Sequence, residues 1–301
     1  MAFRVKALVA GILASAALAA PMAAQADPNV PAGFTALFDG KTLNGWDGDP
    51  KIWSVRDGAI TGGSEQPLPE NTYLIYQKAP YSNFELRFKY RWLSPKGNSG
   101  FQFRSGLAEG NHAMAGYQAN VTPSDVIPER YGMLYAELTD RQEIALLGQK
   151  IELTRKTATG GGTARVIRTV KEMLNSRDDI MASIRSAPEW NEVVVIAYGN
   201  RITSSINGLA AFDALDRDPL AQSSGLFGIQ AHSGPPMMVQ YKDIVVKPLT
   251  SEPDFTAGFK SNPSPAPEPI RSYKDSTRAG QQSTPCREGA TATNGDWTGV
   301  C

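Results

Sequence analysis

The chain has 301 residues, with 30 basic and 30 acidic side chains, 41% hydrophobic residues and 20% charged ones. That profile fits one large β domain or two ordinary domains and excludes the disordered and fibrous classes. A formal charge of zero provides no field for a polyanion, which disfavours nucleic acid as a partner, and two cysteines are too few for a Cys-only metal site or a disulfide scaffold.

Residues 1–26 read as a signal peptide. Arg4 and Lys6 precede an uncharged apolar run from Ala7 to Ala20, and Ala24-Gln25-Ala26 supplies small residues where a signal peptidase cuts, leaving Asp27 as the new N-terminus. The run is short for a bilayer span, and no Cys follows it to carry a lipid. The expected location is therefore periplasmic or secreted, with no membrane span in the mature chain.

From Asp27 to about residue 250, short apolar runs alternate with turn signals at the spacing of a β-sandwich. Trp53 to Arg56 and Ala59 to Thr61 flank Asp57-Gly58, a pair suited to the positive φ values of a type I′ hairpin turn. Asn83 to Tyr90 alternates strictly, placing Phe84, Leu86 and Phe88 on one face and Glu85, Arg87 and Lys89 on the other. One helix is expected near Thr169 to Arg185, where Val170, Met173, Leu174 and Met181 fall roughly on one side. A second hairpin is expected at Asn207-Gly208. From Ser251 to Cys301 the chain turns Pro- and Ser-rich, the composition of an extended tail without its own core. In an oxidising compartment Cys286 and Cys301 are expected to join, in preference to free thiols or pairing between chains.

The strand register also gathers polar groups. Phe101 and Phe103 point one way, leaving Gln102 and Arg104 opposite. Likewise Tyr117, Ala119 and Val121 oppose Gln118 and Asn120, and Phe227, Ile229 and Ala231 oppose Gln230 and His232. With Glu85 and Arg87, four strands then offer amides, guanidiniums, a carboxylate and an imidazole away from the core. Such planar, multi-donor groups bind sugar hydroxyls in pairs, although a solvated face is an alternative for any single strand.

A set of motifs carries a family resemblance. It comprises Phe38-Asp39-Gly40-Lys41 with Gly45-Trp46, Asn83 to Leu86, Gly97 to Gly100 followed by Arg104, Gly116-Tyr117-Gln118, Leu134-Tyr135 with Glu137, Trp190-Asn191, Gly199 to Ile202, Asn207-Gly208, and Gln230 to Gly234. In that order, over roughly Gly33 to Leu249, the chain resembles the 3-keto-disaccharide hydrolase domain family. The resemblance implies a concanavalin-like, two-sheet β-sandwich (a jelly roll), export, and hydrolysis of glycosides whose sugar carries a ketone at C3. Two departures stand out: Gln118 replaces the commoner Glu, and the closing segment reads Ala231-His232-Ser233-Gly234.

The chemistry of such a substrate narrows the roles. Two-carboxylate glycosidases need an acid and a nucleophile or base, and carboxylates are few: Glu85, Glu137 and Asp140. A 3-keto sugar asks for less, because its carbonyl acidifies the C2 proton. One base then suffices, with a donor to the enolate oxygen and assistance to the leaving group. His232 or Glu137 is the candidate base and Arg104 the candidate enolate partner. Glu85, Asn98, Gln102, Tyr117, Gln118, Asn120 and Gln230 are the candidate substrate-binding residues, with His112 ranked behind His232. Glu and His are also offered as ligands to a divalent cation, but no spacing identifies a metal motif. A small carbohydrate is the expected partner, bound either by a hydrolase or by a non-catalytic, lectin-like domain on the same sandwich; oligomeric state is not legible.

Overall fold

A computed structural model describes residues 30–266 except 111, 124–129 and 157–163. The signal peptide with its cleavage site, and Cys286 with Cys301, lie outside the described residues. In chain order the elements are β1 (Thr35–Ala36), β2 (Trp46–Asp47), β3 (Trp53–Arg56), β4 (Ala59–Ser64), β5 (Thr72–Tyr81), β6 (Phe84–Trp92), β7 (Ser99–Ala108), β8 (Ala113–Val121), β9 (Leu134–Glu137) and β10 (Gln142–Ala145). There follow β11 (Gln149–Lys156), β12 (Arg165–Met173), α1 (Arg177–Ser183), β13 (Asn191–Tyr198), β14 (Arg201–Ile206), β15 (Leu209–Asp216), β16 (Gly225–Ala231), β17 (Met237–Pro248) and β18 (Ser264–Pro265).

These strands make the expected two-sheet sandwich with one short helix. The larger sheet runs β18-β12-β11-β15-β14-β13-β6-β17-β4-β3, with β1 beside β17, and the smaller runs β10-β9-β8-β7-β16-β5-β2. Both Asn/Asp-Gly hairpins form as expected: Asp57 and Gly58 take φ of 52° and 71°, and Asn207 and Gly208 take 49° and 81°. The alternation in β6 also holds, burying Phe84, Leu86 and Phe88. Their rings meet those of the smaller sheet: Phe88 stacks on Phe101 at 4.7 Å and Phe84 meets Phe227 edge-on at 5.0 Å. Such pairs contribute about 0.5–1.5 kcal/mol each beyond their buried area.

One expectation needs correction. The helix is confined to α1, because residues 169–173 belong to β12 and pair antiparallel with β11. The β-branched residues Val166, Ile167, Thr169 and Val170 favour a strand there. The helix begins only where Ser176 caps it by accepting from the Asp179 N–H, with Asp178 and Asp179 in the first turn. Of the segment that begins at Ser251, residues 251–266 are described, and they are held against the larger sheet. Phe255 is buried with the Arg201 guanidinium 4.5 Å above its ring, Lys260 bonds through its backbone to Gly208 and Ala210, and β18 pairs with β12.

Candidate active site

The outward face of the smaller sheet carries the site. Gln102 on β7 pairs in register with Gln118 on β8, which pairs with Tyr135 on β9, which pairs with Glu143 on β10. Gln230 on β16 stands opposite Tyr73 on β5. Even spacing from Gln118 adds Asn120, and from Tyr135 adds Glu137, to the same face. Gly100 on β7 pairs in register with Asn120; a Cβ there would come within 2.4 Å of the Gln118 side chain, so glycine makes the room that the amide occupies.

The side chains form one hydrogen-bonded network whose direction is set by backbone groups. The Arg130 carbonyl can only accept, so it orients the Asn120 amide, which donates to it at 2.9 Å. Asn120 Oδ1 then accepts from Gln118 Nε2 at 2.8 Å, which also approaches Gln230 Oε1 (3.1 Å) and Glu137 Oε1 (3.4 Å). Gln118 Oε1 accepts from Gln102 Nε2, and Gln102 Oε1 from Ser105. Gln230 Nε2 donates to Glu137 Oε1 at 2.8 Å and to the Tyr73 hydroxyl at 2.9 Å. Gln102, Gln118 and Gln230 are fully buried, so they form a floor.

Glu137 stands out in this floor. It is 8% exposed, and among the described residues its Oε1 accepts amide hydrogen bonds while Oε2 has no partner and no cation pairs with either oxygen. Burial pushes its pKa above the ordinary glutamate value, opposed by the Gln230 hydrogen bond and by the proximity of His232. His232 is half-buried, and its Nδ1 lies 2.6 Å from the Ser233 carbonyl. Because that oxygen only accepts, Nδ1 carries the proton in the neutral ring and Nε2 is the nitrogen that gains or loses one. The Ser233 N–H fixes Asn71 by donating to its Oδ1 at 2.8 Å. Asn98 joins the rim: its carbonyl accepts from the His232 N–H, and its buried Oδ1 has no partner among the described residues.

Three of the residues read from sequence lie elsewhere. Arg104 turns away from the amide face because β7 bulges: Phe103 pairs with Tyr117 and Gly106 with Ala115, so Arg104 and Ser105 together oppose Gly116. Arg104 sits at φ 48°, and the positive-φ Gly116 has no room for a Cβ beside Ser105. The slip hands the amide face to Ser105. Arg104 becomes fully buried, donating to the carbonyls of Ser82 and Gly199 and to Asn83 Oδ1. Tyr117 faces inward, stacked on Phe103, with its hydroxyl on Asp216 at 2.5 Å and Arg141 over its ring. Glu85 belongs to the other sheet and pairs with Arg87 at 2.5 Å. Gln102, Gln118, Asn120, Gln230, Asn98, Glu137 and His232 are the residues brought together.

The sequence reading missed Tyr73, Tyr135, Asn71 and Glu143. Alternation around the inward Leu134 and Ala136 was the available signal for Tyr135. Glu143 forms an ion pair with Arg130 at 2.8 Å. His112 lies 3.6 Å from Asp47, in the loop before β8. For a divalent cation, the neighbourhood of Glu137 offers one carboxylate and one imidazole; among the described residues no three His, Cys, Asp or Glu side chains gather to hold a metal.

Residues 33–247 match the model of the 3-keto-alpha-glucoside-1,2-lyase-like domain family. The chain belongs to this family. Within the matched segment lie the smaller sheet, most of the larger one, Glu137, His232 and the amide floor. Over 77 residues the chain is 38% identical to the 3-keto-disaccharide hydrolase of Bacteroides thetaiotaomicron, a stretch covering 23% of this chain and 26% of that relative. The chain thus spans about a quarter of the length of the curated relative that it matches. Among solved structures, a candidate glycosyl hydrolase from Parabacteroides distasonis is 19% identical, covering 72% of this chain and 94% of that one with a TM-score of 0.46. A carbohydrate-binding module from Bacillus subtilis is 16% identical, with coverage of 67% and 95% and a TM-score of 0.42.

Proposed function

We propose that this 3-keto-alpha-glucoside-1,2-lyase-like protein is an exported hydrolase that cleaves glycosides of C3-oxidised sugars by elimination and hydration. The observation that carries the reading is Glu137: a nearly buried carboxylate, held at one oxygen by amides, without a cationic partner among the described residues, beside an imidazole whose tautomer is fixed. A structural carboxylate at that depth would ordinarily be paired with a cation.

The steps balance as follows. Glu137 takes the C2 proton, the C2–H electrons form the C1=C2 bond, and the C1–O bond breaks towards the leaving alcohol. His232, protonated at Nε2, supplies the proton that the departing oxygen requires. Water then adds to C1 of the resulting enone, giving a proton back to His232 while Glu137 returns one to C2. The net change is one glycoside plus one water to a 3-keto sugar plus an alcohol. The floor holds the carboxylate in place and the rim, with Asn98, meets hydroxyls. The name of the Bacteroides relative and the family's description support the substrate class.

The test is turnover on the purified mature protein, with 3-keto-trehalose and a 3-keto-glucoside offered beside the unoxidised sugars. Cleavage of the keto sugars alone, reduced about 10²–10⁴-fold in His232→Ala and in Glu137→Gln, is the expected result for general acid and base roles. Saturable sugar binding without cleavage of any keto sugar would leave a lectin-like domain instead.

A further inference from the structure

The elimination needs a donor to the C3 oxygen as it becomes an enolate, and the bulge at Arg104 has removed the residue that the sequence offered for it. The floor amides do not replace it. Gln118 Nε2 is spread over Asn120, Gln230 and Glu137, Gln230 Nε2 is divided between Glu137 and Tyr73, and all three glutamines are fully buried. Tyr73 is 1% exposed beneath the same network. Arg130 is engaged by Glu143.

Tyr135 is different on each count. It lies two residues before Glu137 on β9 and shares its face, so their Cα atoms are about 6.5–7 Å apart along the strand. It is half-buried, where the floor residues are sealed, and its hydroxyl makes no hydrogen bond to any described residue. We infer that Tyr135 is the catalytic residue that donates a hydrogen bond to the C3 oxygen of the substrate as Glu137 removes the C2 proton. The inference rests on the elimination reading above and deepens it. Tyr135 keeps its proton throughout: the phenol stabilises charge on oxygen without transferring anything, so the balance of the reaction is unchanged. Burial together with the nearby carboxylates of Glu137 and Glu143 pushes its pKa up to about 12, which keeps it a donor across the working range. A phenol two residues from the base suits a geometry in which C2 and the C3 oxygen are engaged from one strand.

The experiment follows C2 proton exchange into D2O, with turnover, on a 3-keto-glucoside. In the wild-type protein exchange and cleavage are expected together. Tyr135→Phe is expected to lower kcat and the exchange rate in parallel by about 10²–10³-fold, the cost of losing one such donor, with KM little changed. Its melting temperature is expected to stay near wild type, since the hydroxyl has no hydrogen bond to lose among the described residues. Incorporation of 3-fluorotyrosine at position 135, a second variant that keeps the ring and alters the acidity of the phenol, is expected to shift kcat. Wild-type exchange with unchanged rates in Tyr135→Phe, or with the fluorinated residue neutral, would overturn the role of Tyr135 alone. Cleavage of keto sugars with neither C2 exchange nor any slowing by deuterium at C2, by contrast, would overturn the elimination reading itself.

Discussion

Two buried polar clusters in this molecule are built on opposite principles. At one end of the sandwich, Arg141 pairs with Asp216 at 2.5 Å, both fully buried, and Arg155 bridges Asp218 and Asp140. Each buried acid there has its guanidinium. On the amide face, Glu137 is buried among neutral carboxamides with no cation on it among the described residues. Matched charge satisfies a buried acid within the fold; a carboxylate kept deep without its match leaves the fold to bear the desolvation, which on the reading proposed above serves chemistry.

That contrast can be broken by substitution. The largest expected effect falls on the matched cluster: Asp216→Asn strands Arg141 and should destabilise the protein by about 3–5 kcal/mol, read from denaturant unfolding. Any activity loss should follow the fraction unfolded. Glu137→Gln should do the reverse, abolishing most turnover while raising stability. The sign follows from the raised pKa. The folded state disfavours the ionised form, so the cost is present above the folded pKa and absent below the ordinary glutamate value of 4.5. The melting temperature of Glu137→Gln should thus exceed wild type at pH 8 and approach it near pH 4. An equal gain at both pH values would remove the buried charge as the explanation. With Glu137 as the base of the proposed reaction, the acidic limb of kcat/KM should lie above 4.5 and activity should fall as pH drops through it, because the base must be ionised. The smallest effect belongs to Glu85→Ala, whose part-exposed pair with Arg87 should contribute less than about 1 kcal/mol, with turnover unaltered.

Local rules were legible wherever a strand ran straight. Phe84 to Lys89 and Phe227 to His232 obey the two-residue period, and the floor glutamines follow from it. The same rule failed at Arg104 because one extra residue reverses every side chain beyond it. Gly106 and Gly116 flank that slip and mark it in retrospect. Glu85 was misplaced for another reason. Alternation assigns a face but not a sheet, and pairing with β13 and β17 fixes β6 in the larger one. Tyr135 and Glu143 sit on four-residue strands, where the alternation of Leu134 and Ala136 marks the face of Tyr135 but is too brief to single it out, and an irregular register follows Glu143.

The segment from Ser251 to Pro265 has a practical consequence. The family match ends at residue 247, yet Phe255 still fills a seat under Arg201, and β18 still lies along β12. A protein cut at Leu249 would uncover apolar surface and free backbone N–H and C=O groups along the outermost strand, which are templates for a neighbour. Such a truncated chain should self-associate as its concentration rises, while one ending after Pro265 should not.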